Sequence, residues 1–317
     1  MRMMKTVNIG LFVTGIFLSS VSFAAPLGSQ GAVVAPDKLV AAERSALQHA
    51  IAAERVAKPA PFETLARLRQ DLPALDENKR GRAVAVSAIL KGMGPGALLP
   101  MLNEIAFDTR GREGLTDSAW KAWRVGLVDA VGYLRDARSA PVLTAILDGA
   151  DTDFDLIRAA AGAFGKLGTD AAAQKLVTMA REKNEKQRGV LAGMGHCRRS
   201  LVATELAAML LAQPEGQTAK ILAHSLGDIG SAWAWKTPIV NASGEENGVR
   251  TIAAKALVAS YLRYDGDARS AIGKAVLMVD HADTLVLIEA QKKGVRPEQQ
   301  ALLDELAARF QKSPLHR

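Results

Sequence analysis

This sequence predicts an all-α chain built as an α-solenoid of stacked helical hairpins, and three observations carry that expectation. A short phrase recurs, clearest in Ile157-Arg158-Ala159-Ala160-Ala161-Gly162-Ala163-Phe164-Gly165-Lys166-Leu167-Gly168, with kindred copies over 81–94, 123–134, 187–195, 219–230 and 249–262. Each copy sets small residues between large apolar ones, and most have an arginine near the start. Self-similarity at a nearly fixed period marks a repeat whose units cannot bury their own apolar faces, so that neighbours supply the core. The composition agrees. Of 317 residues 49% are apolar but only 5% aromatic, so core volume comes from Leu, Val, Ile and Ala, a mixture suited to closely packed helices. No segment of useful length alternates with the period of a strand.

Residues 1–24 read as an export signal. Arg2 and Lys5 make a basic start, residues 9–18 a short apolar core, and Ser22-Phe23-Ala24 places small residues where a signal peptidase needs them. The core is too short for a membrane span, which takes roughly 20 apolar residues. Cleavage near Ala24 would put the mature protein in the periplasm or outside the cell, with the formal charge lowered from +7 by the loss of Arg2 and Lys5. Residues 25–36 lack any period and predict a flexible leader. Residues 37–75 predict two capping helices: Asp37 can cap one running to about Val56, the Lys58-Pro59-Ala60-Pro61 stretch stops it, and Phe62, Leu65, Leu68 and Leu72 recur at helical spacing in the second.

The repeats are expected over 76–293. Aligning the fixed small residue gives Gly92, Gly132, Gly165, Gly193, Gly227 and Ser260, and each unit reads as a hairpin. The expected pairs are 82–91 with 97–107, 118–131 with 139–147, 156–166 with 171–181, and 186–192 with 200–211; 218–226 begins a fifth. Asp170 is the expected N-cap of the 171–181 helix. The aligned glycines are expected to end first helices with positive φ. Residues 269–279 and 284–292 form one more hairpin, and 294–317 hold a last capping helix, 298–310, and a tail. The stretch Tyr133-Leu134-Arg135-Asp136-Ala137-Arg138-Ser139-Ala140 returns over 261–271 with three residues inserted, which points to duplication.

The phrase Arg158-x-x-Ala161-x-x-Phe164-Gly165-x-Leu167-Gly168-x-x-Ala171, followed by Leu176-Val177, resembles the HEAT-like repeat of the type first noted in phycobilisome lyases, a relative of ARM-type superhelices. The resemblance covers about 78–280. It implies the solenoid fold and leaves the task open, since such repeats serve scaffolds, adaptors and a few lyases. It also implies that the helix-opening arginine bonds an acidic residue of a neighbouring unit. Arg82, Arg124, Arg158, Arg188 and Arg250 stand at that position, and Ala219-Lys220 in the fifth unit would break the ladder.

The repeat is interrupted at 231–248, where Trp233 and Trp235 are followed by Pro238 and the run Asn241-Ala242-Ser243-Gly244-Glu245-Glu246-Asn247-Gly248. A helix is expected to give way there to a loop, and loops on a rigid scaffold carry binding residues. Trp233, Trp235, Lys236 and Asn241 are the candidate interaction residues. The two tryptophans either plug the gap or anchor a partner. Their i, i+2 spacing keeps them off one helix face, so one is expected inside and the other at the edge.

No catalytic constellation accompanies the repeat. The five histidines are scattered, and Asp151, Asp153 and Asp155 lack the Gly and Glu of a calcium loop. His196-Cys197-Arg198-Arg199 holds the only cysteine, read as a small residue filling a turn. No enzyme activity, metal or cofactor is therefore expected. The expected function is a macromolecule-binding scaffold or adaptor of the cell envelope, working through a concave face of second helices and the 231–248 loop. A protein is the expected partner and nucleic acid is not. Docking of a basic protein on an anionic membrane or cell-wall surface, or a lyase-like attachment of a cofactor, are the alternatives.

Overall fold

The computed structural model describes residues 31–79 and 84–314. The expected export signal at 1–24, the first part of the leader and Arg82 lie outside the described residues. Among the described residues the chain is helical, with no strand. Helices α1 (Ala41–Ala57) and α2 (Pro59–Glu77) come first. Then follow α3 (Val86–Gly92), α4 (Leu98–Ala106), α5 (Asp117–Leu134), α6 (Ala140–Asp148), α7 (Phe154–Gly165), α8 (Asp170–Arg181), α9 (Gln187–Gly193) and α10 (Ser200–Leu211). The remainder comprises α11 (Gly216–Gly230), the four-residue turns α12 (Ala232–Trp235) and α13 (Pro238–Asn241), then α14 (Glu246–Ser260), α15 (Gly266–Val279), α16 (Thr284–Gln291) and α17 (Pro297–Gln311).

Local chemistry sets these boundaries. Thr116, Asp153 and Thr169 cap α5, α7 and α8, each accepting from a backbone N–H three residues on, and Glu215 caps α11. The cap of α8 is thus Thr169 and not Asp170, which occupies the first helical position where a carboxylate favours the helix dipole. Asp37 does not cap α1 either: it lies in a separate 3-10 turn, Pro36–Lys38, and α1 follows Val40. Pro59 opens α2, as its fixed φ allows.

Neighbouring hairpins pack on one another. In one series α3 meets α5, α5 meets α7, α7 meets α9, α9 meets α11 and α11 meets α15. In the other α4 touches α6, α8 packs on α10, α10 on α14, and α14 on α16. Helices α1 and α2 cover α4, and α17 closes the far end against α15 and α16. The contacts of α14 correct one expectation. The 249–262 phrase does not open a new hairpin, and no helix is lost at 231–248. Helix α14 is the second member of the fifth hairpin, partner of α11, and residues 231–245 are a long connection between the two.

The aligned glycines serve a different purpose from the one expected. None of Gly92, Gly132, Gly165, Gly193 or Gly227 has positive φ, which is found at other turn positions, among them Gly94, Gly168, Gly266 and Arg135 at the end of α5. Four of the five allow close approach between helices. A Cβ at Gly132 would stand 2.5 Å from Ala163 Cα, one at Gly165 2.9 Å from Cys197 N, and one at Gly227 3.2 Å from Ala275 Cβ. At Gly193 it would overlap the Arg158 carbonyl oxygen. Gly92 alone faces open space.

Residues 31–36, expected to be flexible, are docked. Ala32 and Val34 are buried, and the amides of Ala32, Val33 and Val34 donate to the carbonyls of Glu104 and Ile105 at 2.9–3.1 Å. A short apolar strap satisfies carbonyls near the end of α4 that the helix leaves free.

Beneath that strap sits a buried ionic group. The Arg69 guanidinium donates to Glu104 at 3.1 Å, and Arg110 bonds both Glu104 and Asp108. Burial, with the neighbouring Asp108 carboxylate, pushes Glu104 up to about 7. Burial also acts to raise Asp108, but the hydrogen bonds from Arg110 outweigh it and hold that carboxyl down at about 2. A folded-state pKa above the unfolded value means the folded chain binds the proton more tightly, so the Glu104 contribution is present in acid and lost as pH rises toward 7. We expect Glu104→Gln to match the wild type near pH 5 and to exceed it at pH 8 by roughly 1–3 kcal/mol in urea unfolding. His196, whose pKa burial lowers to about 3, tilts the wild-type profile the other way below pH 6.5, so the difference between variant and wild type is the quantity to measure. A difference that does not change between pH 5 and pH 8 would refute the assignment.

Candidate functional site

The connection over 231–245 is pinned at three points and exposes side chains between them. Trp235 enters the core, 1% exposed, and its indole N–H donates to the Ile229 carbonyl at 2.8 Å. Val240 is buried in the middle. At the far end Glu245 accepts from the Ser200 amide at 2.6 Å and pairs with Arg199 at 2.8 Å. Helix α10 has no side-chain cap of its own, so Glu245 supplies one from another hairpin. Positive φ at Gly244 turns the chain just before that contact.

Just ahead of the first pin, Trp233 is 63% exposed, and Lys236 from beyond that pin sits over its ring, Nζ 4.4 Å from the centroid. Ile239 is equally exposed at 63%, and Asn241 is exposed on the last residue of α13. The structure therefore groups Trp233 with Lys236, leaves Asn241 on the same connection, and removes Trp235 to the interior. Ile239 and Glu245 were not among the sequence candidates. An isolated Ile after Pro238 carries no sequence signal for exposure, and a carboxylate capping a helix 45 residues away carries none for contact. The later half of the segment lies along the hairpin turns, with Ile239, Val240, Ala242 and Ser243 beside residues of the α7–α8 and α9–α10 turns.

The arginine ladder is uneven. Arg124 pairs with Asp151 beyond α6 and donates to the Ala32 carbonyl at 2.9 Å. Arg158 pairs with Asp155 of its own helix, at 3.8 Å, and among the described residues forms no salt bridge to a neighbouring hairpin. Arg188 is exposed, with no ion pair among the described residues, and its charge lowers the pKa of Glu215 at the head of α11 behind stronger bonds from Thr218 and Gln217. Arg250 bonds Glu246 on its own helix and the Val279 and Asp280 carbonyls at the end of α15, where a cation suits the helix dipole. The expected break at Lys220 is absent, for its ammonium meets Asp267 of α15 at 3.4 Å.

Cys197 is fully buried against Gly165, and burial pushes its thiol up to about 12, which leaves it protonated at neutral pH. No group of three or more His, Cys, Asp or Glu side chains able to hold a metal occurs among the described residues. No described helix is long and apolar enough to cross a membrane. In comparison with known proteins, the chain matches no family model and no curated sequence.

Proposed function

We propose that the chain is an exported HEAT-like α-solenoid that acts as a scaffold or adaptor and binds a protein partner through the 231–245 connection. The observation that carries this reading is Trp233, held in water beside Lys236 on a segment anchored through the buried Trp235 and Val240. An exposed Trp on a braced support offers contact area with little ordering cost, and Trp is prominent among residues that dominate binding energy. Lys236 over the ring adds a charge that can recognise an acidic or carbonyl-rich surface. The repeat phrase and the sequential packing of hairpins support the solenoid, and residues 1–24 support export. Because the connection joins the two helices of the fifth hairpin, the partner is expected along the edge of hairpin turns, extending onto α10 and α14.

Photo-crosslinking from residue 239 in intact cells, read by mass spectrometry, tests the reading. One dominant protein product, lost in Trp233→Ala, is the expected result. Trp233→Ala should weaken the recovered complex by about 2 kcal/mol or more while leaving the melting temperature nearly unchanged. Recovery of the same products from an unrelated surface position, or undiminished binding by Trp233→Ala, would refute it.

A further inference from the structure

The hairpin turns under the connection gather cations that no sequence neighbourhood reveals. Arg135 ends α5, Lys166 follows α7, and Arg198 and Arg199 precede α10, so three successive turns each contribute. Together with His196 and with Ile239, Val240, Ala242 and Ser243 of the connection they line a cavity of about 270 Å³. That is just below the range of about 300–1,000 Å³ usual for drug-sized ligands, and it suits a small group.

The charges in this cavity are incompletely balanced. Arg199 is paired with Asp170 and Glu245. Lys166 shares Asp129 with Lys91, at 3.4 Å from its own ammonium. Arg135 has no carboxylate partner among the described residues; one nitrogen donates to the Lys166 carbonyl at 2.8 Å. Arg198 donates to the Asp228 carbonyl at 3.2 Å, and its buried Nε has no partner. The nearby Asp228 carboxyl is itself raised by burial, which disfavours its charge. Burial, aided by Arg135, lowers Arg198 to about 10, and burial with Lys91 and Arg135 lowers Lys166. Like charges brought together out of water are unfavourable unless an anion joins them. Arg135 is also held at φ 53°, a left-handed position where glycine would cost less, so the turn keeps a guanidinium at a conformational cost.

We propose that this cavity is a binding site for a phosphate-type oxyanion, held by Arg135, Lys166 and Arg198 from three consecutive hairpins. Two guanidiniums and an ammonium offer several directed donors, and a tetrahedral anion with oxygens on all sides can meet donors arriving from three turns. The site does not depend on a protein partner at Trp233. Free phosphate, a soluble phosphate monoester or a lipid phosphate headgroup would present the same chemistry.

Titration calorimetry of the full chain with inorganic phosphate at low ionic strength tests the proposal. We expect saturable binding with a Kd below about 1 mM, weakened about tenfold or more in Arg135→Gln and in Lys166→Gln, since hydrogen bonds to charged groups are the strong class. Lys175→Gln, on the outer surface, should bind as the wild type does. Phosphate should also raise the melting temperature of the wild type and not of the two cavity variants, which guards against variants that merely lose heat signal through misfolding. Sedimentation with phosphatidic acid vesicles that is competed by inorganic phosphate and lost in both variants would identify a headgroup as the source. Phosphate binding without vesicle binding would identify a soluble one. No phosphate binding to folded wild type, or equal binding by the two cavity variants, would overturn the site.

Discussion

Replacing Trp235 by alanine should cost about 3–5 kcal/mol of stability. The side chain is fully buried where the α11–α14 connection leaves the core, and its indole N–H satisfies the Ile229 carbonyl. Truncation would open a cavity and strand a buried acceptor, and both terms point the same way. Trp235→Phe should recover most of the packing but not the hydrogen bond, leaving a deficit of about 1 kcal/mol or somewhat more. Trp233→Ala, two residues away, should stay within about 0.5 kcal/mol of wild type because its ring is in water. Urea unfolding of the three variants decides the matter. Equal losses for the two alanine variants would refute the division between an inner and an outer tryptophan.

The second large effect is expected at Gly193. A Cβ there would overlap the Arg158 carbonyl oxygen and stand 2.8 Å from Ala161 Cβ, so α7 and α9 would have to separate. Overpacking of this kind costs about 1–3 kcal/mol and occasionally more, against a gain of about 0.5–1 kcal/mol from replacing glycine in a helix. Backbone cannot step aside as a flexible side chain can, so the loss should prevail. Gly92→Ala holds the same aligned place in the first hairpin but meets nothing within 4 Å. It should therefore be neutral or stabilising by up to about 1 kcal/mol. Opposite signs at two equivalent sequence positions are the expected outcome, and melting temperatures read them directly. A stabilised Gly193→Ala would show that α7 and α9 are not packed as described.

Helix existence was legible because apolar period is a local property. Residues 200–211 and 171–181 could be read within a residue of their ends, since turn residues and the limits of the apolar period mark both sides. What the phrase did not disclose was which of the two series a helix joins. Residues 249–262 carry the same small-and-large pattern as first helices yet pack as a second helix, because both series are flanked by neighbours and so require similar faces. The strap at 31–36 was missed for a related reason: Ala32, Val33 and Val34 are too few to show a period. At the candidate site Trp233 and Lys236 could be named from composition and position. The cation cluster could not, because Arg135, Lys166 and Arg198 meet only once three turns are stacked.

The same strap bears on how the chain opens. Contacts in a chain of packed hairpins are mostly between elements close in sequence, so terminal units ordinarily fray first and independently. Here Arg124 on α5 clasps the Ala32 carbonyl from 92 residues away, while the strap amides hold the end of α4. Releasing any one of strap, α4 or α5 removes bonding from the other two. Amide hydrogen exchange should consequently show one shared protection level from the strap through α5, in place of a gradient rising inward from the amino end. The first unit to open would then be a clasped block of about 100 residues.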